Sequence, residues 1–204
     1  MLAEEFQLMM KEECAIRKVK LHVSSGKYVV SGPGTRSNGY FFDGDQPILA
    51  YCTGTPFNVW FPTAVHEFNH MLQWWEDSPY WVGEGDEHLW DWLAGEKNLR
   101  PRRAKRYVMR ALRCELDCER RSLKMAQVLD LPGDFWTNYA KIANAYIYFY
   151  HLVLKHRKWY QIGKEPYNIP ALVEAMPNHF NNNYETIPER LVVLYEHHMP
   201  YLLE

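Results

Sequence analysis

The amino-acid sequence predicts an α+β fold, with a small sheet in the first third of the chain and helices in the remainder. Short apolar and aromatic stretches separated by turn residues come first, and apolar residues at helical spacing follow them almost to the end. No repeat or low-complexity linker divides the 204 residues. We therefore predict one domain over residues 1–204, which is long enough to bury a sizeable core.

The predicted elements begin with an acidic amphipathic helix in residues 1–14. After it, stretches rich in β-branched and aromatic residues, bounded by turn residues, predict four short strands. These strands are KVKLHV (18–23), GKYVVSG (26–32), GYFFD (39–43) and PILAYCT (47–53), with a Ser-Gly turn between the first two and a loop, PGTRSNG (33–39), before the third.

Helical periodicity is predicted to begin at Pro62, because proline suits the first turn of a helix. The predicted helices cover approximately residues 62–76, 84–96, 102–128, 134–158, 170–176 and 187–199. Strands therefore precede this point and helices follow it, which is the pattern expected of an α+β domain.

Composition limits the class of protein. Hydrophobic residues make up 47% of the chain and charged residues 24%, and the net charge is −2, so bulk charge indicates no polyanionic partner. The first residues lack the basic and apolar regions of a secretory signal, and no apolar run approaches the ~18 residues of a membrane span. The wide spacing of the four cysteines predicts reduced thiols, and we expect a cytoplasmic protein.

The stretch TAVHEFNHMLQWWE (63–76) places two histidines four residues apart, with a glutamate directly after the first. On a helix, His66 and His70 share one face, so both imidazoles can bind one metal ion. Glu67 is placed to act as a general base on a metal-bound water. The buried side of this helix is predicted to consist of Val65, Phe68, Met71 and Leu72.

The uncharged residues around the HExxH motif resemble the extended signature of the zincin metallopeptidases. The resemblance implies a sheet before the metal helix, whose edge strand pairs with an extended peptide substrate. PILAYCTG (47–54) is the expected edge strand, although an ordinary core strand would have the same pattern. The third histidine of metzincins is missing after the motif, so the resemblance indicates the gluzincin arrangement, in which a glutamate of a later helix is the third ligand.

Two glutamates fit the gluzincin pattern, which has a small residue three positions after the ligand and an acid four positions after it. Glu87 is followed by the acid Asp91, but the bulky Trp90 occupies the small position. Glu115 has Cys118 at the small position and an acid at the next. Both glutamates remain candidates at this point.

Glu115 is favoured for a steric reason. A carboxylate binds an ion at about 2 Å only if its helix closely approaches the helix that bears the histidines. The small residues Ala111, Cys118 and Ser122 lie on one stripe with Glu115 and permit that approach. Glu119 is expected to hold the second ring nitrogen of a ligating histidine. The alternative is that both glutamates form a salt-bridged surface with neighbouring arginines.

The segments ELDCERR (115–121) and ANAYIYFYH (143–151) are similar to uncharacterised metallopeptidases encoded by tailed bacteriophages, a resemblance that implies no particular substrate. The cysteines at i and i+4, Cys114 and Cys118, lack a CxxC partner pair, so we expect them to be packing residues.

A tyrosine-rich helix follows these segments. Gluzincins use a Tyr or His to stabilise the oxyanion of the tetrahedral intermediate, and Tyr146 is our candidate for this catalytic role. His151 is the second candidate. The competing role for either residue is part of an aromatic core.

Residues 100–124 hold ten basic and three acidic residues, a local balance of +7. A basic helix can bind nucleic acid electrostatically, but it more often forms a solvated face that acidic neighbours balance. A nucleic-acid partner would suggest a protease that acts on DNA-bound proteins, similar to SprT-like enzymes.

The sequence thus predicts a zinc metallopeptidase in which His66, His70 and Glu115 bind Zn²⁺ and Glu67 is the general base. Its expected partner is a peptide or protein substrate. The alternative is a non-catalytic metal-binding or structural protein. Metal analysis and a proteolysis assay distinguish the two.

Overall fold

A computed structural model of the chain describes residues 3–31, 34–81, 87–129 and 133–204. It shows the predicted α+β class, with a small N-terminal sheet and a mostly helical C-terminal half. The chain divides into two compact units, one of residues 1–83 with 124–131 and one of residues 84–123 with 132–204. The prediction of a single domain over 1–204 stays a prediction.

The described part of the first unit contains two complete helices and five short strands. They are α1 (Ala3–Ile16), β1 (Lys20–Ser24), β2 (Val29–Ser31), β3 (Thr35–Ser37), β4 (Gly39–Phe42), β5 (Ile48–Cys52) and α2 (Phe57–Trp75). Three strands form one sheet in the order β1-β5-β4, with β1 parallel and β4 antiparallel to β5. The other two, β2 and β3, form a separate antiparallel pair.

Strand β5 lies in the centre of its sheet, so the prediction that residues 47–54 form the edge strand is wrong. The strand reads ILAYC, and its last four residues, from Leu49 to Cys52, are all buried. A continuous apolar run of this kind suits a strand that is covered on both faces. The edge strands on its two sides are β1 and β4, and the residues of β4 are half-buried or exposed.

The Ser-Gly turn after β1 does not join two paired strands. Strand β1 pairs with β5, whereas β2 pairs with β3, which lies in the segment predicted as a loop. The sequence of β3 is TRS, which has no apolar residue and therefore no alternating pattern for sequence analysis to detect.

Helix α2 begins at Phe57, five residues before the predicted start at Pro62, which lies inside the helix. The first turn is closed by the carbonyl of Pro56, which accepts hydrogen bonds from the N–H groups of Val59 and Trp60. Proline inside a helix removes one backbone hydrogen bond. Aromatic packing offsets this loss, since the rings of Phe57 and Phe61 stack with their centroids 4.8 Å apart.

The buried side of α2 follows the predicted spacing at Val65, Phe68 and Met71, whereas Leu72 is only half-buried. Helix α1 packs here: the ring of Phe6 lies 6.2 Å from that of Phe68. This packing fixes which face of α2 is left for the polar residues of the HExxH motif.

The second unit is helical. Its helices are α3 (Glu87–Ala94), α4 (Pro101–Val128, of which the residues to 123 belong to this unit), α5 (Gly133–His156), α6 (Pro170–Ala175) and α7 (Glu189–His198). Both long helices begin and end within two residues of the predicted bounds. Their core contains buried Leu112, Ile147, Phe149, Leu152 and Tyr195. None of the helices in the described ranges is long and apolar enough to cross a membrane.

Candidate metal site

The two histidines of the HExxH motif converge at their Nε2 atoms. These atoms lie 3.0 Å apart, and the rings are nearly perpendicular, at 86°. Two nitrogens that bind one tetrahedral zinc ion at 2.0–2.1 Å stand about 3.3 Å apart, so the pair needs only a small adjustment to bind a metal. Because His70 is buried and His66 half-buried, the rings face a partly dehydrated environment.

The other ring nitrogen of His70 is held by Gln73. The Nδ1 atom of His70 lies 2.8 Å from Oε1 of Gln73, whose side chain is fully buried. A proton on Nδ1, donated to the amide oxygen, leaves the lone pair of Nε2 available for a metal. Sequence analysis did not identify Gln73. Its position three residues after His70, on the same helical face, was the only available signal.

The aromatic rings of Trp81 and Phe41 lie beside the histidine pair, on the side of His70. The ring of Trp81 lies 5.8 Å from that of His70 and 5.7 Å from that of Phe41 on β4. Its indole nitrogen donates a hydrogen bond of 3.1 Å to Asp43. These two rings limit the access of water to one side of the histidine pair, which strengthens electrostatic interactions there.

Glu67 extends from α2 towards the first residue of the edge strand, Gly39. A Cβ atom on Gly39 would lie 3.0 Å from the Cγ atom of Glu67, 2.8 Å from Cγ2 of Thr63 and 3.0 Å from the carbonyl oxygen of Ala50. Real Cβ atoms essentially never approach as closely as the 2.8 Å contact, and the two contacts at 3.0 Å are tighter than nine in ten, so a side chain here must displace a neighbour. The missing side chain therefore makes room for the glutamate of the motif.

Within the first unit, His66 and His70 are close enough to hold a metal ion together, and a third ligand would complete such a site. Cys118 is fully buried on α4, on the stripe with Ala111 and Ser122 that sequence analysis identified, and both of these neighbours are buried as well. We expected Cys118 to be a packing residue, because a single thiol without a CxxC pair is a weak signal.

The predicted glutamates occupy different surroundings. Glu115 is half-buried, and its charge contributes to raising the pKa of Tyr146. Glu119 is buried and accepts a hydrogen bond from the hydroxyl of Tyr139. The side chain of Glu87 lies outside the described residues. The roles of Glu115 and Glu119 as third ligand and histidine-orienting residue stay predictions.

Tyr146 lies in an aromatic cluster of the helical unit. Its hydroxyl is 3.1 Å from that of Tyr150, and burial is the main cause that raises the pKa of Tyr146 well above its ordinary value. A phenol that stays protonated can donate a hydrogen bond to an oxyanion. The alternative candidate, His151, has its Nε2 atom 3.0 Å from the backbone carbonyl of Tyr184, and burial lowers the pKa of His151.

Comparison of the chain with known protein families, with characterised proteins and with solved structures finds no match.

Proposed function

We propose that this protein is a zinc-dependent hydrolase of peptide bonds. The observation that carries the proposal is the convergence of the Nε2 atoms of His66 and His70, while Gln73 holds the opposite nitrogen of His70. Ligating histidines almost always donate their second ring nitrogen to such a partner, which fixes the tautomer and the direction of the lone pair.

His66 and His70 would supply two ligands, and a residue of α4 the third. Glu115 is the candidate from sequence, and Cys118, a buried thiol on the same stripe of α4, is the alternative. Imidazole, carboxylate and thiolate are all ordinary zinc ligands. When bound, zinc lowers the pKa of a water towards ~7 and polarises the scissile carbonyl.

Glu67 would take the proton of the attacking water and deliver it to the leaving amine as the carbon–nitrogen bond breaks. Gly39 supports this role, because it leaves the side chain of Glu67 room against the edge strand. Tyr146 is our candidate for donating a hydrogen bond to the oxyanion, and burial raises the pKa of this phenol still further above neutral pH.

The experiment uses the full chain purified without a histidine tag. Zinc per chain is measured by mass spectrometry, and hydrolysis of casein is followed for the wild type and for Glu67→Gln. The amide keeps the shape of the side chain but cannot accept a proton at neutral pH. We expect about one zinc per chain in both proteins and a ~100-fold or greater loss of hydrolysis in the variant.

Glu12→Gln is the matched control, because it makes the same chemical change at an exposed position of α1. It should leave both zinc content and hydrolysis unchanged. Substantial turnover by the Glu67 variant would overturn the general-base assignment. A wild-type protein without zinc and without activity would instead favour the non-catalytic alternative.

A further inference from the structure

The first half of α4 and the residue before it carry a dense group of cations. Residues 100–114 contain seven basic side chains and no acidic one, in a chain whose net charge is −2. All seven are exposed, and we call them the arginine face: Arg100, Arg102, Arg103, Lys105, Arg106, Arg110 and Arg113.

The direction of this face is fixed by packing. The opposite side of the same helical segment is buried in the core of the helical unit through Ala104, Val108, Met109 and Leu112. The seven basic side chains are therefore held together on the solvent side of the helix. At 1.5 Å per residue, the face extends over roughly 20 Å.

Contacts within the protein involve some of these cations, among them Arg106, Arg110 and Arg113. Arg113 forms an ion pair of 2.7 Å with Glu185. The guanidinium of Arg106 lies over the ring of Tyr107, which leaves its charge intact. Like charges at i and i+4 destabilise a helix, and cations in its first turns oppose the helix dipole. An anionic ligand would relieve both effects.

We propose that the arginine face binds the phosphate backbone of double-stranded nucleic acid. Six of its seven cations are arginines, whose planar guanidinium groups bind phosphate oxygens with two parallel hydrogen bonds. A rigid row of such groups matches the regular array of phosphates along a duplex. The contacts reach the backbone, so binding is independent of base sequence.

The chemistry of the exposed positions distinguishes this ligand from other polyanions. A helix that lies on a membrane inserts large apolar residues, and an interface with an acidic protein has an apolar centre. The exposed positions of α4 from Pro101 to Arg113 hold basic residues and one proline, with no such residue. Single strands stack on exposed aromatic rings, whereas the aromatic residue here, Tyr107, is half-buried.

The test measures the anisotropy of a fluorescent DNA duplex of about two helical turns, titrated with the full chain between about 50 and 200 mM salt. The variant is the triple substitution Arg102→Gln, Arg103→Gln and Arg106→Gln, at exposed positions. The control removes the same charge at exposed positions of the first unit, with Lys11→Gln, Lys20→Gln and Lys27→Gln. Thermal unfolding shows that all three proteins remain folded.

We expect the wild type to bind, with a slope of the logarithm of the binding constant against the logarithm of the salt concentration of about −4 to −5. This slope corresponds to about five neutralised phosphates. The triple variant should bind at least tenfold more weakly at low salt, with a slope about 2 to 3 units shallower, and the control should match the wild type. Failure of the wild type to bind, or equal weakening in variant and control, would overturn the proposal. So would preferential binding to vesicles of phosphatidylserine or to a single strand.

Discussion

The Cγ atom of Glu67 lies 3.0 Å from the position that a Cβ atom on Gly39 would take. The side chain of the proposed general base thus depends on a glycine in the edge strand of the sheet. Even a methyl group at that position must displace the side chain of Thr63, at 2.8 Å, and would press on Glu67 and on the backbone of Ala50, both at 3.0 Å.

We expect Gly39→Ala to lower kcat by roughly 10- to 100-fold, because displacements near 1 Å can cost that much. Zinc affinity should be unchanged, since the substitution contacts Glu67 and not the histidines. Adding Thr63→Ser, which removes the Cγ2 atom 2.8 Å from the new Cβ, should restore part of the activity. Steady-state kinetics and zinc titration check this.

Gly26→Ala is the control, because its new Cβ would meet no atom closer than 3.2 Å. Unchanged kcat in the Gly39 variant would show that Glu67 does not depend on this space. An equal loss of kcat in both glycine variants would indicate that the substitutions act by destabilising the fold.

The hydrogen bond that Nδ1 of His70 donates to Gln73 leads to a second prediction. Gln73→Met fills the buried space but cannot hold Nδ1, so we expect zinc affinity to fall by about 10- to 100-fold. Gln73→Glu keeps an acceptor at the same position and should retain or increase the affinity. Competition with a chelator measures both. A methionine variant with wild-type affinity would rule out the orienting role.

A third prediction separates the candidates for the third ligand. We expect Cys118→Ala to weaken zinc binding by more than the ~100-fold that losing an orienting hydrogen bond costs, because a buried thiol can bind zinc directly as a thiolate. Glu115→Ala should weaken it less, and Glu87→Ala should leave it unchanged.

Cobalt in place of zinc provides an independent readout, since a thiolate ligand produces a charge-transfer band that a carboxylate does not. Loss of metal from the Glu115 variant alone, without a thiolate band in the wild type, would restore the sequence-based ligand set. Loss from the Glu87 variant alone would place the third ligand on α3.

A fourth prediction concerns alkaline pH. Burial raises the pKa of the Cys14 thiol from 9.0 to about 11. Between these values the unfolded chain releases a proton that the folded chain keeps, so stability falls as pH rises through this window, by about 3 kcal/mol in total. Urea unfolding from pH 8 to 11 measures the fall. Cys14→Ala should show a smaller fall between pH 9 and 10, and an identical pH profile would contradict the assignment.

The sequence predicted those parts of the fold that local patterns determine. The apolar periodicity of α4 and α5 gave their bounds, and the HExxH spacing placed His66 beside His70. The position of β5 depends instead on which strands pair with it, and an apolar run suits a central strand as well as one at an edge. The contact of Gln73 with His70 depends on the orientation of the two side chains, which residue spacing along a helix does not specify.

Among the described strands, β1 pairs only with β5, and residues 25–47 separate the two along the chain. Strands β4 and β5 are joined by only residues 43–47, so their hairpin closes with a smaller loss of chain entropy. We expect the hairpin to form first during folding and β1 to join last, because distant pairings form slowly. Pulsed hydrogen exchange would then show amide protection in β4 before β1, so the N-terminal strand would be the last part of the sheet protected from proteases.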